Sequence, residues 1–470
     1  MTDTTYDRRT FLRRGGMGAG AFWALSLSPF MARQASGAAI TPSPYGSIAP
    51  VNDLTTGLPL IQLPAGFSYM TYSWTGDLMS DGVVCPSLHD GMAVVDEVHG
   101  LSDDDVPRGR RDDDEHDRGV SGRLILVRNH EQAIGLPYLN RPSITYRQDG
   151  AGGTTNLIFD ARHGRWLKAW SSLAGTVRNC AGGVTPWGTW ITCEESTDSG
   201  HGWAFEVGPE HGDPRPIIDM GRFSHEALMV DHTTGYVYET EDAGSNSGFY
   251  KYVPNRRGRL IDGGRLYMLR VKGAPGANLG TFYPIGTTWD VEWVPVADPA
   301  ATTQTPFEQG RALGGARFAR LEGCWWGDAV GYFLSTNGGS VGEGQVFEYD
   351  PRREKLKLIY DSPTANDLDN PDNMTITPRG GLLLCEDAAG NNFTAGERMV
   401  GLTLDGGTFT FAQNNIVLKT PYNAVVGAGD YRQNEWAGAC YSPDGKWLFA
   451  NIQTPGITFA ITGPWEKGPL

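Results

Sequence analysis

Polar residues that suit metal coordination recur along this chain in pairs, about fourteen positions apart with a turn between them. Two strands joined by a tight turn return to where they began, so both residues of a pair lie at the same end of a hairpin. Six converging hairpin ends would place carboxylates, amides and one thiol around a single site. The pairs are Cys180 and Glu194, Glu226 and Glu241, Glu322 and Asn337, Asn373 and Glu386, and Glu435 and Asn451. Asp90 and Asn129 form a sixth pair if a charged insertion between them is excised.

The candidate metal ligands are the thiol and the acids at these ends, including the acidic doublets that follow three of the second strands. They are Cys180, Glu194, Glu195, Glu226, Glu241, Asp242, Glu322, Glu386, Asp387 and Glu435. Carboxylate oxygens suit calcium, and a thiolate adds affinity for a softer transition metal, iron or zinc. An alternative is that the polar residues only satisfy backbone groups at strand ends. That alternative explains the doublets poorly, because crowded like charges repel without a cation.

Two further residues are candidate phosphate contacts. Arg320 lies two positions before Glu322, so on a strand the two side chains share a face, and a guanidinium binds phosphate bidentately. Asn156 follows Gly152 and Gly153 in a segment that we interpret as a Gly-rich loop able to bring amide donors close. The net charge of −15 excludes a nucleic-acid-binding protein as the leading interpretation. A phosphate would bind clustered carboxylates only through multivalent cations.

The elements that must position these residues are short strands on either side of each turn, as at residues 189–192, 236–238, 381–384 and 447–450. Repetition of this unit predicts an all-β, six-bladed β-propeller with the metal site in its central channel and few short helices. The 63 Gly and 29 Pro suit a fold with many turns. The long step from Glu226 to Glu322 leaves room for a large insertion or a seventh blade.

The sequence predicts an N-terminal export signal followed by one domain. Residues 1–39 carry the twin arginines Arg8 and Arg9, a mildly apolar stretch and small residues, which predict a twin-arginine (Tat) signal peptide read by the Tat translocase. Residues 40–470 are expected to form a single propeller domain with a charged loop insertion near 99–119. No later run approaches the length of a membrane span. We therefore expect a monomer in the periplasm or secreted.

Several motifs resemble those of one known family. They are NCAGGVTPWGTW at 179–190, CEE at 193–195, GRFSHE at 221–226, RLEG at 320–323, DNPDN at 369–373 and EWAGAC at 435–440. The chain resembles the PhoX alkaline phosphatases over about residues 55 to 465. The resemblance implies a six-bladed propeller whose channel holds ferric iron and calcium joined by a bridging oxo group.

The same resemblance implies roles for individual residues. Cys180 would ligate iron, Glu226 and Glu322 would bridge the irons, and Arg320 and Asn156 would contact phosphate. The calcium ligands would fall among Glu194, Glu195, Glu241, Asp242, Glu386 and Asp387. The implied function is a metal-dependent phosphomonoester hydrolase that acts on small substrates and releases inorganic phosphate.

Two alternatives remain open at the level of sequence. A calcium-dependent lactonase or esterase would use the same kind of channel, would need calcium alone, and would not depend on Cys180. A non-catalytic calcium-binding propeller would bind metal and turn over nothing.

Export gives the first testable prediction. Replacing Arg8 and Arg9 together by Lys should retain the protein in the cytoplasm, because lysine keeps the charge but lacks the planar guanidinium. Cell fractionation followed by immunoblotting measures the distribution. Unchanged export of the double variant would rule out the twin-arginine address.

Overall fold

The structure is a computed structural model that describes residues 41–98, 122–387, 396–403 and 405–470. The predicted signal peptide and the charged insertion near 99–119 lie outside these residues. The strands are β1 Ile48–Val51, β2 Ile61–Pro64, β3 Ser68–Tyr72, β4 His89–Val98, β5 Arg123–His130, β6 Gly152–Asp160, β7 Arg165–Thr176, β8 Asn179–Val184, β9 Trp190–Glu194, β10 Ala204–Val207, β11 His225–Val230, β12 Val237–Glu241, β13 Phe249–Pro254, β14 Gly264–Val271, β15 Thr288–Val296, β16 Leu321–Trp326, β17 Gly331–Ser335, β18 Gln345–Asp350, β19 Lys355–Asp361, β20 Pro371–Ile376, β21 Leu382–Glu386, β22 Arg398–Leu402, β23 Thr408–Asn414, β24 Val417–Leu418, β25 Gly429–Asp430, β26 Trp436–Tyr441, β27 Leu448–Ile452 and β28 Ile457–Thr462.

Helical structure is minor in the described part of the chain. One short α-helix, α1 (Pro306–Ala312), begins at Thr305, whose side chain accepts from the Glu308 backbone amide while Glu308 bonds back to it. Single 3-10 turns occur at Ile218–Met220, Gly244–Asn246, Leu260–Asp262 and Trp465–Lys467. None of the described helices has the length and apolar character needed to cross a membrane.

The predicted hairpins are present, and their turns have the expected chemistry. β8 pairs with β9, β11 with β12, β20 with β21 and β26 with β27, all antiparallel. Gly188 and Gly445 end two of the turns with φ of 83° and 69°, a conformation that glycine adopts without steric cost. Each hairpin therefore returns its second strand to the level at which the first began.

The hydrogen-bonded strands form antiparallel sheets in a propeller-like arrangement. Within the described residues the sheet orders are β4-β5-β6-β7, β8-β9-β10, β11-β12-β13-β14-β15-β19-β18-β17-β16, β1-β2-β23-β22-β21-β20, β26-β27-β28-β3 and the small pair β24-β25. The first strands of the hairpins form a closed ring: β4 packs against β8, then β11, β16, β20 and β26 follow in turn, and β26 packs against β4. The all-β, propeller-like prediction is confirmed.

The long step between β11 and β16 is an extension of existing sheets. β15 pairs with β14 along much of its length, and through Thr288, Trp289 and Asp290 it also pairs with β19. α1 lies in the connection that follows β15. The nine-stranded sheet is thus two hairpin-based units joined at their outer strands.

The inner strands approach one another closely because small residues line the ring. A Cβ added at Gly91 would lie 2.6 Å from Ala181 Cα, and one at Gly323 would lie 2.6 Å from the Asp372 carbonyl oxygen. Two asparagines form hydrogen bonds between neighbouring hairpins. Asn129 Nδ2 donates to the Cys180 carbonyl at 3.0 Å, and Asn451 Nδ2 donates to the Asp90 carbonyl at 2.6 Å. For Asn129 and Asn451, therefore, the alternative that the polar residues of the pairs satisfy backbone groups holds.

Candidate metal centre

One acidic or thiol side chain lies at the start of every inner strand. The inner ring consists of Asp90, Cys180, Glu226, Glu322, Asp372 and Glu435. In β4, β8, β11, β16 and β20 the ladder register shifts at this residue, which marks a β-bulge. A bulge redirects the side chain away from the regular alternation of the strand and is typical of strands beside functional sites.

Three groups within this region bring their ligand atoms within 4.8 Å of one another. They are Cys180 with Glu226 and Asp372, Asp90 with Glu131 and Glu435, and Asp372 with Asp387 and Glu435. The groups overlap, because Asp372 and Glu435 each belong to two of them. One continuous site therefore contains hard oxygen donors and one sulfur donor.

The second-strand ends contribute one residue of each acidic doublet, not both. Successive side chains on a strand point to opposite faces, so Glu195, Asp242 and Asp387 face the channel while the residue before each faces its own sheet. Glu131 at the end of β5 takes the same position. These four acids are defined here as the outer ring.

The Glu194 carboxylate is hydrogen-bonded to the segments that directly precede β8 and follow β9. Its carboxylate accepts from the backbone amides of Val177, Gly202 and Trp203 at 2.8, 2.8 and 3.0 Å, and it lies 2.6 Å from His201 Nδ1. The residue is fully buried. These bonds anchor the loop after β9, and the structure does not bring Glu194 into any of the three groups.

Glu241 and Glu386 are held in the same way. Glu241 accepts from the Tyr250 hydroxyl at 2.5 Å and from the Gly248 amide at 3.0 Å. Glu386 lies 2.5 Å from Arg398 Nη2 in a buried ion pair and also accepts from the Asp369 amide. The structure therefore supports a packing role, and not calcium ligation, for the first acid of each doublet.

Burial and mutual repulsion raise the pKa values of the channel acids. Loss of solvation and the charge of Glu195 raise the pKa of Glu131 to about 7. Burial, then Glu322 and Asp372, raises the pKa of Glu226 well above its usual value. The same causes act on Asp90, Glu322, Asp372 and Glu435. Without a cation, the channel holds protons that metal ions would displace.

Cys180 differs from the other cysteines in its neighbours. Its thiol donates to Glu226 Oε1 at 3.2 Å, while the second oxygen of Glu226 is buried without a hydrogen-bond partner. Burial, followed by Asp90 and Glu226, raises the pKa of this thiol. All six cysteines are unpaired and buried, and Cys193 and Cys385 lie within strands β9 and β21. An orphaned oxygen beside a thiol fits a shared metal ion.

Arg320 lies beside the channel acids, and Asn156 does not. Arg320 Nη2 is 2.6 Å from Glu322 Oε1, and its Nε donates to Asp242 Oδ2 at 3.1 Å. Asn156 lies within strand β6, so the expectation of a Gly-rich loop is wrong. Its amide donates to the carbonyls of Gly208 and Pro209, which ties two units together away from the acids.

Sequence reasoning named Asp90 only as one end of a polar pair and not as a candidate ligand, and it missed three further residues of the channel: Glu131, Asp372 and Arg178. The charged insertion conceals the first hairpin, although His130 and Glu131 end its second strand as Glu194 and Glu195 end another. The bulge in β20 shifts the inner-ring position from Asn373 to Asp372. The sequence did contain a signal for Asp372: it is an acid two positions after Asn370, at the same place relative to its strand as most other inner-ring residues.

The doublet geometry makes a matched prediction. Glu194→Ala should destabilise the protein by about 3 kcal/mol, because three buried amides lose their acceptor. Glu195→Ala should leave the stability of the metal-stripped protein unchanged or higher, because it removes one repelling charge. Chemical denaturation in chelator measures both variants. Equal destabilisation by the two substitutions would contradict the division of roles.

Comparisons with known proteins agree with this architecture. The sequence profile of the family described as "Alkaline phosphatase PhoX" matches residues 161–456. Among the solved structures, PhoX from Pseudomonas fluorescens, in complex with vanadate, a transition state analogue, has a TM-score of 0.58 and 18% identity, covering 90% of this chain and 99% of that chain. At that identity the likeness concerns the fold.

Two weaker structural matches carry no argument. A putative 6-phosphogluconolactonase from Bacteroides fragilis has a TM-score of 0.39 and 12% identity, covering 90% of this chain and 92% of its own. A gluconolactonase from Xanthomonas campestris has a TM-score of 0.33 and 13% identity, covering 72% of this chain and 90% of its own. No curated protein matches the chain in sequence. Because the family profile spans more than half of its length, the chain belongs to the PhoX family of alkaline phosphatases, which are phosphomonoester hydrolases.

Proposed function

We propose that the phosphomonoesterase activity of this chain takes place at the mouth of its acidic channel and depends on calcium and a transition metal bound there. The observation that carries the proposal is the overlap of three metal-capable groups beside one guanidinium. A phosphate monoester is dianionic, so these acids would repel it unless cations outnumbered them locally. Arg320 alone does not offset them.

The channel belongs, in this proposal, to a six-bladed propeller. The closed ring of β4, β8, β11, β16, β20 and β26 supports that count, since each of these strands begins a hairpin. The nine-stranded sheet divides into two blades at the short pairing of β15 with β19. On this division each blade supplies one inner-ring residue.

The donor set indicates which metal each group would hold. Asp90, Glu131 and Glu435 offer only carboxylate oxygens and suit calcium, as does the group around Asp387. Cys180 with Glu226 and Asp372 combines a soft and a hard donor, which suits iron. Glu322 adjoins this second group through its charge on Glu226.

The metals, when bound, would supply positive charge to the phosphoryl oxygens and lower the pKa of a nearby water. The protein orients the substrate with Arg320. Burial opposes the charged form of this guanidinium, but Glu322 and Asp242 outweigh it and raise its pKa, so Arg320 stays charged at alkaline pH. Nε and Nη2 are engaged by carboxylates, and Nη1 has no partner among the described residues. That amino group is free to donate to a phosphoryl oxygen.

Export through the Tat translocase to the periplasm or beyond, and action as a monomer, complete the proposal. A protein that crosses the membrane folded can load its metals beforehand. The support for this part is the twin-arginine segment of the sequence.

The activity itself is tested with p-nitrophenyl phosphate. The metal-loaded protein should hydrolyse it at alkaline pH, lose activity to a calcium chelator and recover when calcium is returned. Arg320→Ala should lower turnover by roughly 10²–10³. Arg432→Ala is the matched control, because that guanidinium pairs with exposed Asp430 outside the channel. Hydrolysis of lactones with no turnover of any phosphate ester would transfer the function to the lactonase alternative.

The thiol tests the metal assignment separately. Cys180→Ala should remove the transition metal, measured by elemental analysis, and abolish most activity while the fold persists, since the calcium-type groups remain. Cys193→Ala is the control, because Cys193 is a buried strand residue in a hydrophobic cluster. Equal loss of metal in both variants would refute the role of Cys180.

A further inference from the structure

Four inner strands are preceded by a residue with the same unusual backbone. Two positions before the inner-ring residues Asp90, Cys180, Glu322 and Asp372 the chain has left-handed φ values. The residues are Leu88 (52°), Arg178 (47°), Arg320 (41°) and Asn370 (43°). A left-handed conformation costs a non-glycine residue of the order of 1–2 kcal/mol, and such strain clusters at functional sites.

The backbone hydrogen bonds show that Arg178 and Arg320 occupy equivalent positions. The Arg178 amide donates to Gln132 in the preceding unit, and its carbonyl accepts from Glu195 at the end of its own hairpin. The Arg320 amide donates to Gly244 in the preceding unit, and its carbonyl accepts from Thr336 at the end of its own hairpin. Two units of the fold therefore present a guanidinium from the same place.

The charges of both side chains act on one acid, Glu195. Arg178 Nη2 lies 2.7 Å from Glu195 Oε2 and 3.1 Å from Glu131 Oε1, both in the outer ring. Glu195 also feels the charge of Arg320. Glu195 is thus affected by two guanidinium groups: that of Arg178, which it contacts, and that of Arg320, which pairs with Glu322 of the inner ring.

The Arg178 guanidinium has nitrogen atoms that are still available as hydrogen-bond donors. Its side-chain hydrogen bond and both ion pairs are made through Nη2, and Nε and Nη1 have no hydrogen-bond partner among the described residues. Its side chain is 44% exposed, against 30% for Arg320. The left-handed backbone is common to this position in four units, including Leu88 and Asn370. What distinguishes Arg178 is a partly exposed guanidinium beside the channel acids with two nitrogen atoms that can still donate to an anion.

From this geometry we infer that Arg178 is a second substrate-binding residue, which holds the phosphoryl group from the outer ring opposite Arg320. The inference rests on the proposed function of the channel. Arg178 contacts the oxyanion as substrate enters and as phosphate leaves, so it stabilises bound ground states, whereas Arg320 acts beside the inner ring. Its loss therefore raises KM and weakens phosphate binding more than it lowers kcat.

The test uses Arg178→Asn in the full, metal-loaded protein. Asparagine tolerates the left-handed backbone and already occupies the equivalent position as Asn370. Loss of a charged hydrogen-bonding group should raise both KM for p-nitrophenyl phosphate and the inhibition constant of inorganic phosphate roughly 10- to 100-fold, with kcat within about threefold. Metal content should match the wild type, and added methylguanidinium should restore part of the affinity.

Two further variants test whether the effect is specific to the guanidinium of Arg178. Arg178→Lys retains the charge without the fork and should give an intermediate inhibition constant. Arg215→Ala, which removes an exposed guanidinium paired with Asp213, should behave as wild type. An unchanged phosphate inhibition constant in both Arg178 variants overturns the inference, as does a fall in kcat that follows loss of metal. A wild type that hydrolyses no phosphate ester instead defeats the proposed function.

Discussion

Repulsion among carboxylates that share one buried channel is the constraint around which this protein is built. Besides burial, Glu322 and Asp372 raise the pKa of Glu226, and Asp372 raises that of Glu322. Among the described residues, the guanidinium groups of Arg178 and Arg320 pair with channel acids and oppose this repulsion. Bulges and glycine contacts force the acids together against this repulsion. Protons relieve it in the absence of metal, and cations relieve it better. An arrangement that holds these carboxylates close together therefore favours the binding of multivalent cations.

The acidic doublets show how one short motif serves both the scaffold and the site. Alternation along the strand turns Glu194 into its sheet, where it ties down a loop, and turns Glu195 toward the channel. Glu386 and Asp387 repeat the arrangement, with Arg398 as the scaffold partner. Each channel acid is thus adjacent in sequence to a buried anchor, which limits how far it can move when a charged substrate arrives.

Much of this organisation could be predicted from the sequence. The repeated pairs gave the hairpins, their common end and the acidic character of the site, because a two-residue period and tight turns are local properties. The inner-ring position of Asp372 could not be predicted, since a bulge shifts it by one residue. Asn156 was misplaced because Gly152 and Gly153 lie inside a strand, where their neighbours decide the conformation. The positions of Asp372 and Asn156 both depend on contacts between strands, which composition and local sequence pattern do not reveal.

The sheet that begins with β26 combines strands that lie far apart in the sequence. β3 (Ser68–Tyr72) pairs with β28 (Ile457–Thr462), so the sheet that begins with β26 is complete only when the C-terminal strand has joined the N-terminal one. Contacts of such sequence separation form late and slowly during folding. Without β28, one edge of β27 and one edge of β3 would lose their hydrogen-bond partners. The sheet that supports Glu435, which directly precedes β26, therefore depends on a strand pair whose members lie almost 400 residues apart in the sequence.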